Sequence, residues 1–183
     1  AFTACWVDYD CDGHLDLFIA NNLGGLFERK TKNRLYHNNG DGTFTKITRG
    51  SPVNEPGASY AGWLVDLNND GFLDLFVANG TVTDPQSTQL NNFLYHNNGD
   101  GTFARVTRGS LVNDGGESWG CAWGDYDNDG DLDILLTGLD SGIPISHVYQ
   151  NTSGTFRDIS AGLTGVAVSS VAWGDYDNDG DLD

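Results

Sequence analysis

Methionine is missing from this sequence, and basic side chains are scarce: nine lysines and arginines stand against 26 aspartates and glutamates, for a formal charge of −17. A chain this acidic has no basic patch with which to displace phosphate counterions, which argues against nucleic acid as a partner. No apolar run approaches the roughly 20 residues of a membrane-spanning helix, and no signal peptide is visible. Helical 3.6-residue periodicity is also missing, which leaves strands to build the core. The signatures G-x-S-x-G and H-E-x-x-H and the phosphate-binding loop do not occur. Imidazole is confined to His14, His37, His96 and His147. Cysteine is limited to Cys5, Cys11 and Cys121, without C-x-x-C metal spacing. Cys5 and Cys11 flank one loop and a bridge across it is one reading; free thiols are the preferred one. The absence of Met, the Ala start and an Asp stop in mid-repeat suggest a segment of a longer chain. For such a segment, a missing signal peptide says nothing about secretion.

What is abundant is aspartate at fixed spacing. Asp125, Asp127, Asp129 and Asp133 fall at positions 1, 3, 5 and 9 of a loop with Gly130 at position 6. Alternate residues of a tight turn point into one concavity, so the carboxylates converge and repel one another unless a cation lies between them. Hard oxygens in that number suit Ca²⁺, and Gly130 permits the positive φ that folds the loop back. The pattern recurs at Asp8, Asp10, Asp12, Gly13 and Asp16, at Asp66, Asn68, Asp70, Gly71 and Asp74, and at Asp175, Asp177, Asp179, Gly180 and Asp183. Asn68 lowers the charge of the second loop, which is expected to be the weakest of the four. EF-hands are excluded: position 12 is Ile19, Val77 or Leu136 rather than a bidentate Glu. Each loop instead leads into a short apolar run, 15–20, 73–78 or 132–137, that reads as a buried strand.

A small-residue run precedes each loop, and a third strand follows after a variable connection. Asn-Gly and Asp-Gly hairpins at 38–42 and 97–101, and a shorter hairpin at 151–154, then lead into a fourth strand. Loop starts at 8, 66, 125 and 175 give periods of 58, 59 and 50 residues. Four antiparallel strands at this period mark a β-propeller blade. The expected fold is therefore all-β, with repeats at about 1–58, 59–117 and 118–167 and a partial unit at 168–183.

The runs WGDYDNDGDLD at 123–133 and 173–183, DLFVANG at 74–80 and NRLYHNNGDGTF at 33–44 resemble the FG-GAP/VCBS repeats, calcium-bearing blades also found in integrin α-subunit propellers. Within that family they are most similar to bacterial secreted proteins related to cartilage acidic protein. The resemblance implies a seven-bladed propeller with Ca²⁺ in the strand 1–2 loops on one face, up to four ions in this stretch. It also implies backbone carbonyl ligands at position 7: His14, Phe72, Asp131 and Asp181. Cys11 departs from the usual Asn at position 4.

The resemblance further implies that the strand 2–3 and strand 4–1 connections lie on the opposite face, at 21–32, 49–58, 79–91, 108–117, 138–144 and 161–167. They vary most between units and are where a protein or glycan ligand is expected to bind. The leading expectation is a non-enzymatic, extracellular, calcium-stabilised propeller for adhesion or recognition. A structural subunit that self-associates through open blade edges is the second reading, and part of a calcium-dependent polysaccharide lyase the third. Asn79-Gly-Thr81 and Asn151-Thr-Ser153 are N-glycosylation sequons.

Overall fold

A computed structural model of the chain describes residues 3–21, 31–80 and 91–183. Three four-stranded antiparallel sheets follow one another along the sequence. The first is β1 (Thr3–Val7), β2 (Asp16–Ala20), β4 (Arg34–Asn38) and β5 (Phe44–Ile47), with the short pair β3 (Thr31–Lys32) and β6 (Pro56–Gly57) beside it. The second comprises β7 (Ser59–Val65), β8 (Asp74–Asn79), β9 (Phe93–Asn97) and β10 (Phe103–Val106). The third comprises β11 (Glu117–Gly124), β12 (Asp133–Asp140), β13 (Ile143–Thr152) and β14 (Thr155–Asp158). Strands pair in chain order within each sheet, as in propeller blades, and the innermost strands β1, β7 and β11 lie against one another.

The apolar runs after the loops become strands covered on both faces, which explains why they lack polar alternation. On β8, Leu75 and Val77 face the first blade and pack with Val7, Phe18 and Leu35. Phe76 and Ala78 face the third blade and pack with Ile134, Leu136 and Phe156. Each fully buried side chain of this size contributes roughly 1.5–3 kcal/mol, so the blades are held chiefly by what lies between them. Small residues on the inner strands allow that approach: a Cβ on Gly62 would stand 2.5 Å from Phe18 Cε1.

One expectation needs correction. Residues 138–144 are not a variable connection but mostly strand, because Ser141 (φ 51°) and Gly142 (φ 83°) make a two-residue hairpin between β12 and β13. The fold is all-β as expected, with only a helical turn, α1 (Ser51–Asn54), and a 3-10 turn at Ser110–Val112 in the strand 4–1 connections. These turns are too short to show a 3.6-residue repeat. In the partial fourth unit 169–174 forms no assigned strand, although Gly174 and Asp183 exchange backbone hydrogen bonds across the last loop at 3.4 and 2.9 Å.

The strand 4–1 connections also carry an acid at equivalent places. Glu55 pairs with Arg105 of the next blade. Asp114 Oδ2 accepts from Tyr149 Oη at 3.1 Å and from Asn92 Nδ2 at 3.3 Å. Burial pushes the Asp114 carboxyl up to about 6, against the lowering effect of the Tyr149 hydrogen bond. Of the connections expected to hold a partner, 22–30 and 81–90 lie outside the described residues. Both sequon asparagines are buried, Asn79 at 3% and Asn151 at 0% exposure, so neither offers its amide to a glycan on the folded chain.

Candidate metal loops

The four loops share one backbone. Position 4 is left-handed in each: Cys11, Asn69, Asn128 and Asn178 have φ between 57° and 61°. Position 6 is Gly at φ 89° to 99°. The position 1 carboxylate ties the turn together by accepting the N–H groups of positions 5 and 6. For Asp125 these distances are 3.0 and 3.0 Å, and for Asp8 3.1 and 2.9 Å. Asp66 and Asp175 do the same.

Position 9 is clamped from two directions. Asp16, Asp74 and Asp133 each accept the N–H of position 2 on one oxygen, at 3.2, 3.3 and 3.1 Å. The other oxygen accepts the N–H of the last asparagine before the hairpin: Asn38 at 2.7 Å, Asn97 at 2.8 Å and Asn151 at 2.7 Å. Burial raises all three carboxyls, Asp133 to about 6, where Asp127 and Asp129 push in the same direction. A cation would remove that penalty.

In three loops, positions 1, 3 and 9 converge with one oxygen from each within 4.8 Å of the others: Asp8, Asp10 and Asp16; Asp125, Asp127 and Asp133; Asp175, Asp177 and Asp183. The second loop has no such trio of carboxylates, because position 3 is Asn68, whose amide nitrogen donates to Asp70 at 2.9 Å. The position 5 carboxylates of Asp12, Asp70, Asp129 and Asp179 accept the N–H of position 7 at 2.8 to 3.0 Å. Asp12 alone of these also meets a convergent group, with Asp10 and His37.

Position 7 side chains turn away to other work. His14 and Phe72 lie over the hairpin glycines Gly40 and Gly99, where an added Cβ would meet their rings at 2.5 and 2.6 Å. Asp131 accepts from Ser153 N at 2.8 Å and Asn69 Nδ2 at 2.8 Å, and Asp181 accepts from Asn128 Nδ2 at 2.7 Å. Only the backbone carbonyls of His14, Phe72, Asp131 and Asp181 are left as candidate ligands. The donor set is all hard oxygen, and Asp10 Oδ1 is shielded from solvent without a hydrogen-bond partner. These residues fit calcium chemistry.

Two sets of residues escaped the sequence reading. Asn38, Asn97 and Asn151 were visible only as part of a hairpin. Yet Asn97 Nδ2 donates to Tyr9 O in the first blade's loop at 2.8 Å, and Asn151 Nδ2 to Leu67 O in the second's at 2.8 Å. They lock each blade onto the preceding loop. The signal was their recurrence at the start of the hairpin after each loop, 22 residues after Asp16, 23 after Asp74 and 18 after Asp133. The second set, His37, His96 and Gln150, directly precedes those asparagines and reaches the carboxylates.

Repeated blades of four antiparallel strands, each with an acidic strand 1–2 loop, define a propeller-type repeat protein. Residues 8–77 and 66–136 each match the FG-GAP-like repeat, in two copies that begin on equivalent loop aspartates. The chain belongs to the FG-GAP-like repeat family. No curated protein matches the sequence.

Proposed function

We propose that this chain is a non-enzymatic, extracellular propeller segment whose blades are stiffened by calcium and which recognises a protein or glycan. The observation that carries this reading is repetition. The same loop, with the same hydrogen bonds to its position 1 carboxylate, occurs four times. A reacting centre needs one singular constellation, whereas a scaffold benefits from identical clips. Calcium would be held by Asp8, Asp10, Asp12 and Asp16 and their counterparts, neutralising carboxylates that burial otherwise disfavours. The opposite face would then be held rigid for a ligand.

The test is retention of the chain on immobilised acidic glycans and matrix proteins in calcium and in EDTA. Calcium-dependent retention without shortening of the glycan supports the reading. Depolymerisation would replace it with a lyase, and retention unaffected by EDTA would detach binding from the metal.

A further inference from the structure

Two joints between blades are held by the same backbone bonds but filled by different side chains. At loop position 2, Tyr9 N donates to Asp16 Oδ2 and Tyr9 O accepts from Asn97 Nδ2. Leu67 N donates to Asp74 Oδ2 and Leu67 O accepts from Asn151 Nδ2 in the same way. At the first joint the Tyr9 ring is buried, with its centroid 5.9 Å from that of Phe103 and 6.5 Å from that of His37. At the second joint the counterparts of those rings, Phe156 and His96, stand around Leu67. The remaining loops carry Tyr126 and Tyr176 at this position, so leucine is the exception. The hairpin that closes the second joint is also one residue shorter, Asn151 to Phe156 against Asn97 to Phe103.

A shorter side chain and a shorter hairpin leave a cavity of about 180 Å³ between the second blade's loop and the third blade's hairpin. Leu67, Leu94 and Val106 form its apolar wall, and Asn68 and Ser153 stand at its rim, the first half-buried and the second exposed. An apolar cavity of roughly 150 Å³ is enough to take up benzene, so this one has room for a single ring. The polar rim suits a ring with a polar tip, as a tyrosine side chain has. Asp74 is the carboxylate in the lining and disfavours an anion. Beside the cavity the hairpin touches the loop: a Cβ added to Gly154 would stand 3.6 Å from Asn68 Cβ. That contact closes the side along which an extended polypeptide would have to run.

We propose that this cavity is a binding site for a free molecule carrying one uncharged aromatic ring of the phenol class. The ring would take, between the second and third blades, the space that Tyr9 fills between the first and second. Its hydroxyl would lie at the rim formed by Asn68 and Ser153. Because both blades line the cavity, an occupant would stiffen the joint between them.

The test titrates the full chain with phenol by calorimetry at one fixed calcium concentration and records Tm at each point. Saturable binding with a rising Tm is expected. Leu67→Tyr supplies the ring from the chain itself, so it should raise Tm without ligand and abolish phenol binding. Should that variant fail to fold, Leu67→Phe fills the same space. Benzoate should bind at least about tenfold more weakly than phenol, because its charge would enter an apolar cavity beside Asp74. N-acetyltyrosinamide, which brings the backbone of a protein partner, should also bind more weakly. No saturable phenol binding by the unaltered chain, or binding kept in the filled variant, overturns the proposal. Benzoate binding as tightly as phenol overturns the uncharged class. N-acetyltyrosinamide binding more tightly than phenol overturns the free molecule in favour of a partner's side chain.

Discussion

Asn97→Ala should be among the most damaging single substitutions outside the apolar core. The side chain is fully buried and makes three hydrogen bonds: to Tyr9 O at 2.8 Å, to Leu73 O at 3.1 Å, and from Gly99 N at 3.1 Å. Each contributes about 1 kcal/mol net, and a buried carbonyl left unpaired costs about 1–3 kcal/mol. The expected loss is about 3–5 kcal/mol. Asn38 supplies an internal control. It keeps the equivalent bonds within its own blade, to Leu15 O at 3.0 Å and from Gly40 N at 3.1 Å, but sits only partly buried where water can replace them. Asn38→Ala should cost about 1–2 kcal/mol. The difference, about 2 kcal/mol, combines the bond between blades with the deeper burial of Asn97 and corresponds to a further fall in Tm of roughly 4–8 °C for a chain of this size. Urea and thermal unfolding of both variants at one fixed calcium concentration read it directly. Equal losses, or an Asn97→Ala loss below about 1 kcal/mol, would refute the interlock.

Other expectations follow from single sites. Asp114 has a carboxyl raised to about 6 by burial, above the ordinary carboxylate value. The folded chain therefore favours its protonated form, and this contribution to stability is complete below about pH 4 and lost as pH rises through 6. The difference in stability between the unaltered chain and Asp114→Asn should change across that window, and a difference that is constant with pH would contradict the assignment. Cys11 adopts φ 59°, where the other loops place asparagine. Cys11→Asn should raise stability by about 0.5–1 kcal/mol, since Asn tolerates the left-handed region better; a melting shift of opposite sign would contradict this. Gly62→Ala should cost about 1–3 kcal/mol through overpacking against Phe18. In a double-mutant cycle Phe18→Leu should recover part of that loss, and strict additivity would place the strain elsewhere.

The blade pattern was legible because its signals are local. Four D-x-D/N-x-D-G loops and three hairpins fall in register, and the buried strands between them carry uninterrupted apolar residues such as Leu75 to Ala78. What stayed hidden depends on contacts across long separations. The Asn97 to Tyr9 bond spans 88 residues, and nothing near Asn97 indicates its acceptor. His37 and His96 read as hairpin-flanking residues because strand pairing, not sequence proximity, brings them to the loops. The hairpin at 141–142 was obscured by Gly138 and Asp140, which resemble loop residues although both lie in β12. The swap of Asn and Asp for Cys11 and Phe72 makes sense only in three dimensions. Position 4 of one loop bonds position 7 of the next at Asn69–Asp131 and Asn128–Asp181, and the Cys11–Phe72 pair lacks both the amide and the carboxylate.

The central claim is that the convergent aspartates are calcium clips. Its most direct test is a calcium titration of the chelator-stripped full chain by native mass spectrometry, with Tm recorded at each point. The account predicts discrete additions of up to four calcium ions, each raising Tm, and one fewer ion in Asp133→Asn. A chain that takes up no calcium, and melts at the same temperature in EDTA as in calcium, would contradict it.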